Sequence, residues 1–159
     1  MRLALFEPDI PQNTGAILRL CACLGVEVDL VGPVGFVLTD AKLRRAGLDY
    51  AAHAVMTVHE SWAAYSRSLT QGNRLILLTT KGATDYRTPA YRPGDVLMVG
   101  RETAGVPDFV HDAAQLRITI PLAEPMRSLN VVTAAAIVLG EALRQTGGFP
   151  GDLAVPERP

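Results

Sequence analysis

The stretch 118–145 constrains this chain most. Ile118-Thr119-Ile120-Pro121 reads as the end of a strand. An extended loop follows, because Pro121 and Pro125 each disfavour a helical residue before them. A helix is then expected from about Leu129 to Gln145, with Ser128 and Asn130 where side chains cap a helix N-terminus or hold ligand groups there. Val131, Val132, Ala134, Ala135, Ile137, Val138, Leu139, Ala142 and Leu143 surround its axis instead of marking one stripe. Such a helix is buried on most sides. In a chain of 159 residues one side lies on the protein's own sheet, and a second copy of the chain is the simplest cover for the other. A homodimer is therefore expected.

That length supports one domain with its own core, expected over 1–150 with a tail at 151–159. The longest apolar run, 131–139, is about half a membrane span, and the few apolar residues before Glu7 are too short for a secretory signal. No membrane association is expected, and the cytoplasm is the expected location. Cys21 and Cys23, two apart on an expected helix, face different directions and cannot pair with each other, so both are read as reduced, buried or half-buried thiols. A net charge of −1 offers no global attraction to nucleic acid, so RNA binding would need a local basic patch.

Strand and helix patterns alternate along the chain. Apolar runs at 2–6, 26–31, 55–58, 74–79, 95–99 and 117–120 read as strands. Between them, Ile17, Leu18, Cys21 and Leu24 recur at helical spacing from Thr14 until Gly25. Thr39 or Asp40 can cap a short basic helix ending at Gly47, 61–69 forms a surface helix with Trp62 and Tyr65 on one side, and 107–113 forms a short helix. The segment 81–93 reads as a long loop. This order predicts an α/β fold, an open and mostly parallel sheet with helices on both faces. Ligands of such sheets bind outside the carboxyl ends of the strands. Three polar loops fall there, at 79–82, 100–107 and 121–130.

There is no G-x-G-x-x-G after the first strand, no Walker loop, no G-x-S-x-G elbow and no Cys/His cluster at metal spacing. No metal is expected. His59-Glu60-Ser61-Trp62-Ala63 begins like a zinc-protease helix but lacks the second His, and His53, His59 and His111 read as surface or partly packed residues. Three clusters remain. Asn13 to Arg19 sets an Arg in an otherwise apolar helix, Gly100-Arg101-Glu102 ends a strand in a Gly that lets a ligand approach the backbone, and Ser128-Leu129-Asn130 heads the apolar helix. Taken singly, a surface Arg, a tight turn with a solvated Glu, and ordinary helix capping account for them as well.

Their order and content closely resemble the three motifs of the SPOUT superfamily of RNA methyltransferases. Within it, Phe6-Glu7-Pro8-x-Ile10-Pro11-x-Asn13-Thr14-Gly15, the run Leu43-Arg44-Arg45-Ala46-Gly47-Leu48-Asp49-Tyr50, Leu78-Thr79-Thr80-Lys81-Gly82 and Glu141-Ala142-Leu143-Arg144-Gln145 resemble the tRNA wobble-position 2′-O-methyltransferases. The resemblance spans roughly Leu3 to Pro150. Two positions depart from it: Gly140 stands where many wobble enzymes have Tyr, and Val132-Thr133 stands where they have Ser-Asn. The second departure is similar to tRNA ribose methyltransferases of the D-loop.

The resemblance implies a C-terminal deep trefoil knot, a dimer sharing the active site, and S-adenosylmethionine as methyl donor, leaving S-adenosylhomocysteine. It implies a tRNA substrate methylated on the ribose 2′-hydroxyl of cytidine or uridine 34. Leu78, Thr79, Gly100, Glu102, Ile120, Leu122, Ser128, Leu129 and Asn130 would line the cofactor pocket, and Arg19, Asn13, Glu102, Ser128 and Asn130 would serve the reaction. Arg19 would act on the hydroxyl as base or as positioning group. Lys42, Arg44, Arg45, Lys81, Arg101, Arg127 and Arg144 would form the RNA surface, although a solvated basic surface has the same composition. Methylation of another tRNA position or of rRNA, and a non-catalytic cofactor- or RNA-binding module, are the alternatives.

Overall fold

The computed structural model describes residues 1–36, 54–81 and 84–151. The expected basic helix with Lys42, Arg44 and Arg45, the run 43–50, His53, Gly82 and the tail from 152 onward lie outside the described residues. The described chain follows the expected alternation. Strand β1 (Arg2–Phe6) leads to helix α1 (Pro11–Leu24) and β2 (Glu27–Val31); β3 (Met56–His59) is followed by α2 (Trp62–Ser68). Then come β4 (Arg74–Leu78), β5 (Thr84–Asp85), β6 (Asp95–Val99), α3 (Asp108–Ala113), β7 (Leu116–Thr119) and α4 (Val131–Thr146). The strands form one sheet in the order β3-β2-β1-β6-β4-β7-β5, and every pairing is parallel.

Alternation along the central strands sorts the core into two layers. Leu3 and Leu5, Ile76, and Leu97 and Val99 face α1 and α4, packing with Ile17, Leu18, Cys21, Val138 and Leu139. Ala4 and Phe6, Leu75 and Leu77, and Val96 and Met98 face the other way, toward Tyr65 of α2 and Val110 of α3. Period-two strands between two helical layers are what parallel sheets require, since both faces must leave water. Leu139 and Tyr65 are both fully buried.

Several boundaries differ from expectation for local reasons. Helix α1 begins at Pro11, three residues before Thr14, because a proline at the first helical position lacks only an N–H that the helix would not use. It ends at Gly25, which adopts φ 65°. The segment expected as a loop after Lys81 contains β5, whose Thr84 and Asp85 pair with Ile118 and Thr119. Two residues are too short to carry a strand pattern. Asn130 caps α4 by accepting from Val132 N at 2.8 Å, so Ser128 and Leu129 belong to the loop before it. Cys21 is buried, which pushes its thiol up to about 12, whereas Cys23 is exposed and not half-buried as expected. Within one chain α4 is covered on only one side: Ala135, Val138, Leu139, Ala142 and Leu143 are buried while Thr133 and Ile137 are exposed.

Among the described residues no helix is long and apolar enough to cross a membrane, and no group of three or more His, Cys, Asp or Glu could hold a metal ion.

Candidate functional site

The carboxyl ends of β4, β6 and β7 open into a cavity of about 510 Å³. That size suits a small-molecule ligand. Its walls include Leu78, Thr79, Gly100, Glu102, Ile120, Leu122, Ser128, Leu129 and Asn130, so all nine residues assigned to a cofactor pocket share one cavity. Asn13, Ile10, Lys81 and Arg101 also line it, as do His111 and Ala134, which no motif flagged. His111 is 8% exposed and sits in the wall, the packed one of the two placements the sequence left open. His59, by contrast, is not among the residues lining the cavity and has Nε2 3.0 Å from Asp29 Oδ1.

Gly100 lines the cavity and also makes the tight turn that the sequence offered as its other reading. A Cβ there would lie 2.6 Å from the carbonyl carbon of Gly105 and 2.8 Å from Val106 Cγ1. The close approach is made by the protein's own backbone, because the chain turns back on itself immediately after β6. Arg101 N donates to Gly105 O at 3.0 Å and Gly105 N to Arg101 O at 2.9 Å, with Gly105 at φ 66°. Only a residue without a side chain permits that fold-back.

The turn presents Glu102 to the loop after β1. Asp9 N donates to Glu102 Oε2 at 3.2 Å, and Asn13 Nδ2 donates to Glu102 Oε1 at 3.1 Å. In return Asp9 Oδ1 accepts from Glu102 N at 3.3 Å, and Asp9 Oδ2 accepts from the Thr103 hydroxyl. Asn130 Nδ2 then donates to Asn13 Oδ1 at 3.2 Å. One chain of hydrogen bonds therefore joins the loop after β1, the turn after β6 and the head of α4. Burial and the neighbouring Asp9 carboxyl raise the pKa of Glu102, and the interaction with Glu102, with help from Thr103, lowers that of Asp9. Asp9 is thus the more acidic of the two. It fell at an unassigned position of the first motif, and its acidity between two prolines was the only available signal.

Arg19 lies on α1 six residues beyond Asn13, is exposed, and is not among the residues lining the cavity. Six helical steps of about 100° carry it well round from Asn13. Arg101, expected on an RNA surface, is turned onto Glu7, with NH2 to Oε2 at 3.1 Å, and its guanidinium lies 5.9 Å from the Phe6 ring centre. Glu7 itself holds a left-handed φ of 43°, a costly conformation for a residue with a side chain, at the point where β1 leaves the sheet. Arg144 pairs with Glu141 at 2.8 Å. Lys81 and Arg127 are exposed.

The site thus offers an apolar slot between strand ends, a polar wall made of carboxyl and amide groups, and a helix N-terminus whose first turn is held by Asn130. It can seat a partly apolar ligand and fix a second reactant at the polar wall. Residues 1–140 match the SpoU rRNA methylase family. A tRNA (cytidine(34)-2′-O)-methyltransferase of Beijerinckia indica is 53% identical over 148 residues, 92% of each chain. A solved structure concerning the 2-OH methylation of C/U34 on tRNA superposes with a TM-score of 0.86 at 38% identity, over 91% of this chain and 94% of that one. An AdoMet-bound rRNA methyltransferase from Sinorhizobium meliloti superposes with a TM-score of 0.80 at 28% identity, over 90% of this chain and 55% of that one.

Proposed function

The chain belongs to the SpoU rRNA methylase family, and from that premise we propose that it is a tRNA (cytidine/uridine-34) 2′-O-methyltransferase that uses S-adenosylmethionine. The observation that carries the reading is the convergence of three loops on one cavity, tied to each other by Asp9, Glu102, Asn13 and Asn130. Near-full-length identity to a wobble-position enzyme supports the choice of substrate.

The cavity fits the donor in size and character. Leu78, Ile120 and Leu122 give apolar contact for a purine, and Thr79, Gly100 and Ser128 to Asn130 bring backbone groups to the same slot. When bound, the donor supplies a methyl already activated on a sulfonium, which leaves alignment, water exclusion and removal of the hydroxyl proton to the protein. Asn13 and Asn130 hold the polar wall in one geometry, and Glu102 fixes Asn13 from the opposite side. A guanidinium has a pKa above roughly 12 and is a very poor base. Arg19 accordingly acts first by binding phosphate and orienting the ribose, with proton removal assisted by a neighbouring group. Lys42, Arg44, Arg45, Lys81, Arg101, Arg127 and Arg144 supply the RNA contacts, Arg101 and Arg144 from within ion pairs to Glu7 and Glu141.

The working unit is a homodimer, in which the open side of α4 around Thr133, Ala136, Ile137 and Gly140 is covered by a second copy. The C-terminal chain is threaded as a trefoil knot around the cavity loops, a reading supported by the likeness to SpoU structures. It works in the cytoplasm, where tRNA is matured. The test is transfer of labelled methyl from S-adenosylmethionine to tRNA lacking wobble ribose methylation, with the product mapped by mass spectrometry. Label on nucleotide 34, lost in Arg19→Ala, is expected. Label elsewhere would move the substrate to another RNA position, and cofactor binding without transfer would leave only a binding module. Sedimentation as a monomer at micromolar concentration would remove the dimer.

A further inference from the structure

Beside the direct Asn13–Glu102 hydrogen bond and the Arg101–Glu7 ion pair, a further contact between the first motif and the second passes through a residue that neither motif assigns. Asp9 and Glu102 are 93 residues apart in sequence, yet each accepts a hydrogen bond from the other's backbone N–H. Asp9 also takes the Thr103 hydroxyl, so both of its carboxylate oxygens are used on the turn after β6. The turn has little else to hold it in place. Its own two hydrogen bonds run between Arg101 and Gly105, closing it on itself without fixing its orientation to the sheet. Thr103, Ala104 and Gly105 are exposed. Orientation comes from Arg101 on Glu7 at one end, and at the tip from Asp9 together with the Asn13 amide on Glu102.

We propose that Asp9 is a positioning residue for methyl transfer, holding the tip of the turn so that Glu102 stays aimed at Asn13 and, through it, at Asn130. This inference rests on the methyltransferase reading above. The geometry has the form of a reciprocal cap made between two loops instead of within one helix. A carboxylate is suited to the task because it only accepts, and here it meets one amide N–H and one hydroxyl, both donors. The direction of the pKa shifts agrees: Asp9 is held below the usual carboxylate range and Glu102 above it, so Asp9 carries the charge that the donors of the turn require.

The test compares Asp9→Ala, Asp9→Asn and Thr103→Val. Labelled methyl transfer to tRNA at saturating S-adenosylmethionine is measured with hydrogen exchange of the loop amides and thermal unfolding. Asp9→Ala, which removes both hydrogen bonds to the carboxylate, should lower kcat by about tenfold to a hundredfold, while KM for tRNA stays within about twofold. The Glu102 amide should exchange faster in the same variant. Asp9→Asn keeps an acceptor for that amide and should recover most of the rate, and Thr103→Val should fall between the two. An unchanged kcat in Asp9→Ala, with the Glu102 amide deprotected, would overturn the proposal. So would equal losses in Asp9→Ala and Asp9→Asn accompanied by a matching fall in unfolding temperature, which would indicate a general effect on the fold. Absence of transfer in the wild-type protein would overturn the methyltransferase reading itself, and the proposal with it, and is told apart from the other failures because no variant is involved.

Discussion

The two ends of α4 are built for different tasks. At the head, Asn130 is exposed, caps the helix and reaches Asn13 across the cavity rim, and the preceding residues 123–130 are all exposed. At the tail, Leu139, Ala142 and Leu143 are buried, and Gln145 Oε1 accepts from the backbone N of the buried Tyr91 at 3.1 Å. Tyr91 in turn donates its hydroxyl to Tyr86 O at 2.6 Å. The tail anchors the helix to the segment between β5 and β6, and the head carries polar groups to the site. A site needs groups that solvent and substrate can reach, and those groups cannot also contribute much apolar burial. The fold therefore places these stabilising contacts about two and a half to four turns away from its chemistry.

That division predicts which changes damage stability and which damage function. Leu139→Ala, at a fully buried position between the sheet and α1, should cost about 2–5 kcal/mol in urea unfolding. Methyl transfer per folded molecule should change little. Gly100→Ala should cost about 1–3 kcal/mol, because the added carbon meets backbone that cannot move aside without opening the turn. Here the loss should appear in both measurements, as weaker S-adenosylhomocysteine affinity by calorimetry and as reduced stability. Asn130→Ala should cost only about 1 kcal/mol of stability from the lost cap. Its main effect should fall on kcat, since the link to Asn13 goes with it.

The smallest effect concerns the tail and acid. Glu141 is half-buried beside an exposed Arg144, and hydrogen bonds from Arg144 and then Gln145 lower its pKa from the ordinary 4.5 to about 2. A lowered folded-state pKa stabilises above the unfolded value, and that contribution is lost as pH falls through the folded one. Between about pH 4.5 and 2, Gln145 should loosen and the Tyr91 amide should exchange faster, while the same amide stays protected at pH 7. The change should shrink in high salt, as a pair with an exposed partner requires.

The head of α4 was legible in the sequence because its signals are local. Pro125, Asn130 and the apolar run after it define a loop, a cap and a buried helix without reference to the rest of the chain. The α1 terminus at Gly25 and the alternation of strands with helices were legible for the same reason. What escaped depends on contacts between distant segments. Asp9 acquires its role only when the turn after β6 arrives beside it, the close approach of Gly105 to Gly100 is set by that same turn, and β5 exists because β7 offers a free edge. That Arg101 lies over Glu7 and Phe6 was likewise not legible, since nothing local brings those residues beneath it. The parallel sheet makes such misses expected, because its neighbouring strands are never neighbours through a hairpin.

The most direct test of the division between a functional head and a structural tail is a crystal structure of the protein with S-adenosylhomocysteine. Ligand density between Leu78, Gly100 and Ile120, with its sulfur end toward Asn13 and Asn130 and the Gln145–Tyr91 contact unchanged, is the expected result. Ligand bound away from that cavity, or seated only after Gln145 releases Tyr91, would contradict it.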